Sequence, residues 1–170
     1  MVATSNHRRN KNRLFKLSAV GGTFSLLHRG HEVLLRLAFS LSEGVIIGIT
    51  SNYFISRHPK AHEVKEYEER LRDLYRFLLK NRLLRRSVLI PLVDGLGPLL
   101  DRNDIQCVVV TTETYNSIKG VNSTRRRLGL KKLSVVILGL ILAEDGKPIR
   151  TTRIVKGEID RTGRVVGSRG

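Results

Sequence analysis

The chain has 170 residues, of which 41% are hydrophobic, and this is enough to build one domain with its own core rather than a disordered chain. A single cysteine, Cys107, excludes a disulfide framework within the chain and fits a reducing interior. The longest apolar run, residues 133–143, is too short to cross a membrane. We therefore expect a cytoplasmic protein without a membrane partner.

The net charge of +16 is of the kind found in nucleic-acid-binding proteins. The cations are spread over several clusters, which include a basic arm at residues 1–13 and the triplet Arg125-Arg126-Arg127. Aromatic residues make up only 5% of the chain and do not alternate with these clusters, so a stacking platform for single strands is not expected. We interpret the triplet as a solvated helix face and do not expect a nucleic acid as partner.

The predicted elements alternate strand and helix along the chain. We expect a basic disordered arm at 1–13, one domain over 14–165 and a tail at 166–170. The predicted strands are 14–20, 45–50, 87–93, 105–111 and 133–142; the predicted helices are 30–42, 65–81 and 112–128, with Gly44 as a C-cap of the first and a loop at 51–64. This alternation predicts an α/β fold that is Rossmann-like and doubly wound, with a mostly parallel five-stranded sheet and helices on both faces.

Two stretches of the sequence are typical of phosphate sites. In the first, residues 19–31, a strand runs into Gly21-Gly22, and a helix then opens at His28-Arg29-Gly30-His31. Unpaired N–H groups and the positive dipole end of such a helix favour an anion, and two imidazoles at the same turn can donate to it. In the second, residues 148–157, Thr151 or Thr152 is expected to cap a short helix with Arg153 directly behind.

Both stretches resemble motifs of the nucleotidyltransferase superfamily, namely its HxGH signature and its ISSTxxR motif. The resemblance is closest to the archaeal phosphopantetheine adenylyltransferases and extends over roughly residues 15–165, through similar segments at 47–51, 67–71, 112–114, 142–149 and 156–160. The sequence departs from that family at Ser25, where an aspartate is common, and at Gly95, where a proline is usual. It also departs in the second motif, at Arg150, Thr151 and Val155.

The resemblance implies transfer of AMP from ATP to 4′-phosphopantetheine, giving dephospho-coenzyme A and pyrophosphate, with Mg²⁺ bridging the phosphates of ATP. It implies that Thr23, His28 and His31 are the catalytic residues. It assigns ATP binding to Gly22, Thr23, Phe24, His28, His31, Glu113, Thr151, Thr152 and Arg153, and binding of the second substrate to Thr23 together with Lys60 or Arg57.

Several alternatives stay open at this stage. A related transferase that acts on nicotinamide mononucleotide or uses CTP shares the first motif, and a basic nucleic-acid-binding protein on a degenerate version of the fold would account for the charge. A metal site built from the histidines is not expected, because no thiolate pair or His-Glu helix motif accompanies them. The sequence makes no prediction about the oligomeric state.

Overall fold

A computed structural model describes residues 13–60 and 62–166 of the chain. Five parallel strands form one sheet in the order β3-β2-β1-β4-β5. The strands are β1 (Phe15–Gly22), β2 (Ser42–Thr50), β3 (Ser87–Leu92), β4 (Cys107–Thr111) and β5 (Ser134–Leu138). The predicted fold class is confirmed, while the arm before residue 13 and the end of the tail lie outside the described residues.

Helices cover both faces of the sheet. They are α1 (Arg29–Leu41), α2 (Asn52–Arg57), α3 (Tyr67–Lys80), α4 (Tyr115–Ile118), α5 (Val121–Arg127) and α6 (Thr151–Val155), with 3₁₀ turns at Leu84–Arg86 and Gly97–Leu100. Alternate strand residues supply two separate cores, as the pleat of a strand requires. Val20 and Ile47 pack with α1 and α3 on one face, whereas Ala19 and Val108 pack with α4 and α5 on the other.

The strand order reverses beside β1, since β2 and β3 lie on one side of it and β4 and β5 on the other. In open α/β sheets, ligands bind at such a switch point, outside the carboxyl ends of the strands. The Gly21-Gly22 turn ends β1 at this point. Among the described residues no helix is long and apolar enough to cross a bilayer.

Several local boundaries differ from the sequence prediction, and β5, for example, ends at Leu138 and not at residue 142. Gly44 does not cap α1, because Ser42 ends that helix and also begins β2, so that Gly44 lies inside the strand. The predicted loop at 51–64 contains α2, whose first turn is capped by the Ser51 hydroxyl. The predicted helix at 112–128 is two helices, α4 and α5, because Gly120 has a φ of 86° and interrupts the helical backbone.

Arg125 contradicts the prediction of a solvated arginine face. Its side chain is fully buried, and its guanidinium donates to the carbonyl oxygens of Leu99, Arg102 (3.1 Å) and Lys131 (2.6 Å). Arg126, the next residue, is exposed as predicted. Arg125 therefore ties α5 to the turn at Gly97–Leu100 and to the segment that leads into β5.

We expect Arg125→Met to lower the free energy of unfolding by about 2–4 kcal/mol, because it leaves buried carbonyl groups without a donor. Arg126→Met, one position away, is the matched control and should change it by less than about 0.5 kcal/mol. Urea denaturation of the two variants measures the difference. Equal stability of the two proteins would show that the buried guanidinium does not hold these segments together.

Candidate active site

A pocket of about 330 Å³ opens at the carboxyl ends of β1 and β4. Its walls come from the loop after β1, the first turn of α1, the loop after β4 and the start of α6. Most of the residues predicted for the site line this pocket: Gly22, Thr23, Phe24, His28, His31, Lys60, Glu113, Thr151 and Thr152. The structure brings Arg57 and Arg153 to other positions, which are described below.

His28 is the N-cap of α1, and the helix fixes the orientation of its ring. Its Nδ1 atom accepts a hydrogen bond from the backbone N–H of Gly30 at 3.1 Å. Burial lowers the pKa of His28 to about 4. At neutral pH the ring is therefore uncharged, and because Nδ1 is an acceptor, the proton sits on Nε2, which becomes the free donor.

Gly30 favours this arrangement. A Cβ atom at position 30 would lie 3.0 Å from Cε1 and 3.1 Å from Nδ1 of the His28 ring. A side chain there would require the ring to shift by a few tenths of an ångström. The glycine of the His-Arg-Gly-His stretch thus has a geometric role, which is to let the imidazole lie against the helix terminus.

His31 stacks on His28, with ring centroids 3.9 Å apart, and the Phe24 ring lies 5.1 Å from His31 on a tilted plane. Burial, followed by the neighbouring His28, lowers the pKa of His31 to about 3. Phe24 is 1% exposed and has a φ of 49°, a left-handed conformation that is unusual for a bulky residue. The strained backbone at Phe24 turns the chain so that its ring covers the histidine pair from the core side.

Arg70 supports the loop after β1 from beneath, although sequence reasoning did not identify it as a site residue. It is fully buried, and its guanidinium donates to Thr23 O (2.9 Å), Thr50 O (2.7 Å), Lys65 O (2.8 Å) and Asn52 Oδ1 (3.0 Å). Burial lowers its pKa, and the nearby Tyr67 ring opposes that effect. The sequence feature that could have identified Arg70 is its position as a lone arginine on the apolar side of the strongly amphipathic helix α3.

Lys60 lines the main pocket and also a smaller neighbouring cavity of about 190 Å³. This second cavity is walled mainly by apolar side chains that include Ile46, Phe54, Leu92 and Leu99. Arg57, the other candidate for the second substrate, lies outside both cavities, where its guanidinium contacts the ring and the hydroxyl group of Tyr53. Of the two cations, Lys60 is the one that the fold places at the site.

His62 also lines the main pocket, close in sequence to Lys60. Both of its ring nitrogens are buried and lack a hydrogen-bond partner within the described part of the chain. Buried polar atoms are nearly always paired in folded proteins, so these nitrogens mark a position that a ligand can complete. His62 lies in the segment predicted as a loop at 51–64, and it was not among the residues predicted for the site.

The two arginines of the second motif do not both lie at the pocket. Arg153 pairs with Asp145 and Glu158 and donates to Pro148 O (3.1 Å), so its guanidinium is occupied away from the pocket. Arg150 instead lines the pocket as the N-cap residue of α6, and it pairs with Glu113 across the pocket mouth. Thr151 and Thr152 form the first turn of α6 and make no side-chain cap, contrary to the prediction.

Carboxylate groups are scarce at this site. Among the residues that the structure describes, Glu113 is the only acidic one that lines the main pocket, and it is engaged with Arg150. Over residues 13–60 and 62–166, no group of three or more His, Cys, Asp or Glu side chains is arranged to hold a metal ion. The site is therefore suited to an anionic ligand, which would meet imidazole, hydroxyl, ammonium and guanidinium donors.

Comparison with known proteins finds one family model and several relatives that share the name phosphopantetheine adenylyltransferase. Residues 19–157 match the Cytidylyltransferase-like family. A phosphopantetheine adenylyltransferase of Methanosarcina barkeri is 40% identical over 86% of this chain and 91% of its own length, and one of Pyrococcus abyssi is 37% identical over 88% and 94%. A bifunctional phosphopantetheine adenylyltransferase/NTP phosphatase of Thermoplasma volcanium is 38% identical over 87% of this chain, which spans only 44% of that relative.

Solved structures share the fold. A protein with unknown function from Archaeoglobus fulgidus superposes with a TM-score of 0.63 and 29% identity, covering 73% of this chain and 89% of its own. Pantoate-beta-alanine ligase from Francisella tularensis superposes with a TM-score of 0.55 and 12% identity over 80% of this chain and 63% of its own, which supports the fold alone.

The buried histidines predict a pH dependence of stability. Unfolding returns each imidazole to a pKa near 6.5, so between about pH 4 and 6.5 the unfolded chain binds more protons and stability falls with decreasing pH. Between pH 7 and pH 5, the titration of His28 alone should lower the free energy of unfolding by about 2 kcal/mol. Urea denaturation at both pH values measures this effect. The loss of stability from pH 7 to pH 5 should be smaller in His28→Gln than in wild type by about that amount. An identical fall in wild type and variant would mean that His28 is not held neutral in the folded protein.

Proposed function

Because the chain belongs to the Cytidylyltransferase-like family, we propose that it is a phosphopantetheine adenylyltransferase, which transfers AMP from ATP to 4′-phosphopantetheine in coenzyme A synthesis. The observation that carries the proposal is the pairing of two cavities that share Lys60 at the switch point of the sheet. One cavity is lined by the stacked histidines and the threonines, and the other is largely apolar. Relatives of that name align over most of their own length and most of this chain.

The reaction needs no nucleophile from the protein. An oxygen of the 4′-phosphate of phosphopantetheine attacks the α-phosphorus of ATP, the bond from that phosphorus to the bridging oxygen breaks, and pyrophosphate leaves. The protein must align two polyanions and stabilise the charge that develops on the α-phosphate. We assign that stabilisation to the Nε2–H of His28, which the helix cap leaves as the free donor of the ring.

The neutral state of the two imidazoles suits this role. A protonated pair stacked at 3.9 Å would repel, and burial already disfavours the charge. His31 supports the His28 ring by stacking, so the donor keeps one direction. Thr23 lies on the same wall, where its hydroxyl and backbone N–H are available to the attacking phosphate.

The second substrate has an elongated arm with a phosphate at one end. We place the phosphate near Lys60, which lines both cavities, and the pantetheine arm in the apolar cavity. His62 lies close by with two unpaired ring nitrogens, and it is a further candidate donor to that phosphate. Arg57 lies outside both cavities, so we give it no role in binding.

The β- and γ-phosphates of ATP are assigned to Thr151, Thr152 and Arg150. Arg150 takes the place that the sequence alone gave to Arg153, because only Arg150 lines the pocket and its Glu113 partner is half-exposed. An ion pair in contact with water contributes little to stability, so a polyphosphate can displace Glu113 at low cost. Glu113 would then be free to contact the adenosine part of ATP.

Mg²⁺ would be held mainly by the ligand. Mg²⁺ prefers oxygen atoms and keeps several waters, and in nucleotide sites it is bound through phosphate oxygens and few protein carboxylates. Glu113 is the one carboxylate that lines the pocket, so the residues fit a cation that arrives on the phosphates of ATP. The chemistry it supplies is neutralisation of charge on the leaving pyrophosphate.

The test is pyrophosphate release by the purified protein with Mg²⁺ and ATP, comparing 4′-phosphopantetheine with nicotinamide mononucleotide, and ATP with CTP. We expect release with ATP and phosphopantetheine only. His28→Ala should reduce kcat by about 10²- to 10³-fold, the usual effect of losing one donor to a developing oxyanion. Arg72→Ala, which shortens an exposed side chain of α3 outside both cavities, is the control and should stay within about twofold. Release with nicotinamide mononucleotide instead would replace the proposed substrate.

The two arginines of the second motif can be separated by experiment. Arg150→Met should raise the KM for ATP at least about tenfold with little change in melting temperature, because it removes a charged hydrogen bond to phosphate from an exposed position. Arg153→Met should lower the melting temperature while the KM for ATP changes little, since it breaks the pairs with Asp145 and Glu158. The reverse pattern would return the phosphate contact to Arg153.

A further inference from the structure

The positive charge is concentrated at the edge of the sheet that faces away from the proposed active site. This amino edge consists of the segments that precede or begin the strands: residues 13–16, 40–44, 80–86, 101–106 and 126–134. Its cations are Arg13, Lys16, Lys80, Arg82, Arg85, Arg86, Arg102, Arg126, Arg127, Lys131 and Lys132, and its acids are Glu43, Asp101 and Asp104. The edge thus carries a net +8, two thirds of the +12 of the described residues.

Few of these cations have a counter-charge. Among the described residues, Arg102 is the only one of the eleven with a carboxylate within 4.0 Å, that of Asp104. The Arg86 guanidinium instead donates to the carbonyl oxygens of Phe39, Ser42 and Glu43. Burial and, next, the nearby charge of Arg13 lower the pKa of Arg86, whereas the charge of Glu43 acts in the opposite direction. An uncompensated cluster of this kind attracts anions.

A groove crosses this edge between the beginnings of β1 and β5. The charged residues that line it are Lys16, Lys131, Lys132 and Asp104, and the Asp104 carboxylate is paired with Arg102. Two amide side chains in the groove are oriented by the backbone. Gln106 Oε1 accepts from the N–H of Lys16 (2.6 Å), and Asn103 Oδ1 accepts from the N–H of Lys131 (2.8 Å). Because both oxygens are occupied, the amide NH₂ groups are left as donors beside three ammonium groups, a set suited to phosphate oxygens.

We propose that the amino edge binds the phosphate backbone of a double-stranded nucleic acid, through a site separate from the transferase pocket. Five strands spaced about 4.8 Å apart make an edge about 19 Å long. A duplex carries one charge per about 1.7 Å of its axis, so the stretch of duplex beside this edge carries about eleven phosphates, and those on one side of it face the protein. A strand of eight residues holds the two edges about 26 Å apart, so an occupied amino edge leaves the pocket open.

The composition of the edge favours a duplex over other polyanions. Phe15 is the only aromatic residue in the five segments, and it packs against the core, so unpaired bases find no stacking surface. The absence of interleaved aromatic residues therefore argues against single strands and not against a duplex, whose backbone is contacted by cations. An anionic membrane is bound by helices with an apolar face, whereas these cations come from four separate segments.

The experiment is titration of labelled duplexes of about 20 base pairs, as RNA and as DNA of the same sequence, with the full chain at about 50–300 mM KCl. The triple variant Lys16→Gln, Lys131→Gln, Lys132→Gln should weaken binding at least about tenfold and reduce the slope of log K against log salt by about 2–3. Comparing the RNA and DNA arms identifies the kind of duplex. Pyrophosphate release by the triple variant should equal that of wild type, so the outcome is independent of the proposed enzyme function.

The matched control is Arg72→Gln, Lys119→Gln, Lys147→Gln, which removes the same charge from exposed positions elsewhere. It should keep wild-type affinity within about twofold. An equal loss in both triple variants would show diffuse attraction without a site and would overturn the proposal. Absence of duplex binding by wild type, or binding to vesicles of anionic lipid in preference to either duplex, would overturn it too.

Discussion

The site depends on one buried guanidinium. Arg70 is anchored on α3, and it donates to the carbonyls of Thr23 and Thr50, which lie at the carboxyl ends of adjacent strands. A buried cation satisfied by carbonyl and amide oxygens has no flexible carboxylate partner, so the positions of these backbone groups are fixed by the fork geometry of the guanidinium. Thr23 begins the turn that carries Phe24 and leads to His28. The rigidity of the anion site is therefore supplied from the opposite side of the loop, by a residue that contacts no ligand.

The burial that makes the histidines costly to protonate also defines their chemistry. Desolvation favours the neutral ring, and the Gly30 N–H selects which nitrogen of His28 carries the proton. The strained backbone of Phe24 is the cost of placing an aromatic ring over His31, and this strain is retained because the ring is 1% exposed and fully packed. Stacking, capping and burial act together, so each of the three constrains the direction of the same Nε2–H.

Periodicity and turn residues were sufficient to predict the sheet, its parallel direction and the first motif, because these depend on neighbours along the chain. The resemblance to the phosphopantetheine adenylyltransferases is confirmed by relatives that are 36–40% identical over most of the chain. The sequence could not show which arginine of the second motif faces the pocket. Arg150 and Arg153 have the same chemistry, and their directions are decided by Glu113 and Asp145, which lie 37 and 8 residues away. Arg70 and Arg125 were missed for the same reason, since their acceptors come from distant segments.

The polarity of a parallel sheet explains why two different chemistries occupy its two edges. Helices that connect parallel strands run back antiparallel to them, so their C-termini gather where the strands begin. The negative dipole end of a helix stabilises cations, and α3 and α5 end in Lys80 and in Arg125-Arg126-Arg127 at this edge. The helix ends therefore explain part of the positive charge at this edge without any binding partner. They do not account for Lys16, Lys131 and Lys132, which precede or begin strands and line one groove together with Asn103 and Gln106. These three lysines are not explained by the helix ends, and they are the part of the positive charge that indicates a polyanionic partner.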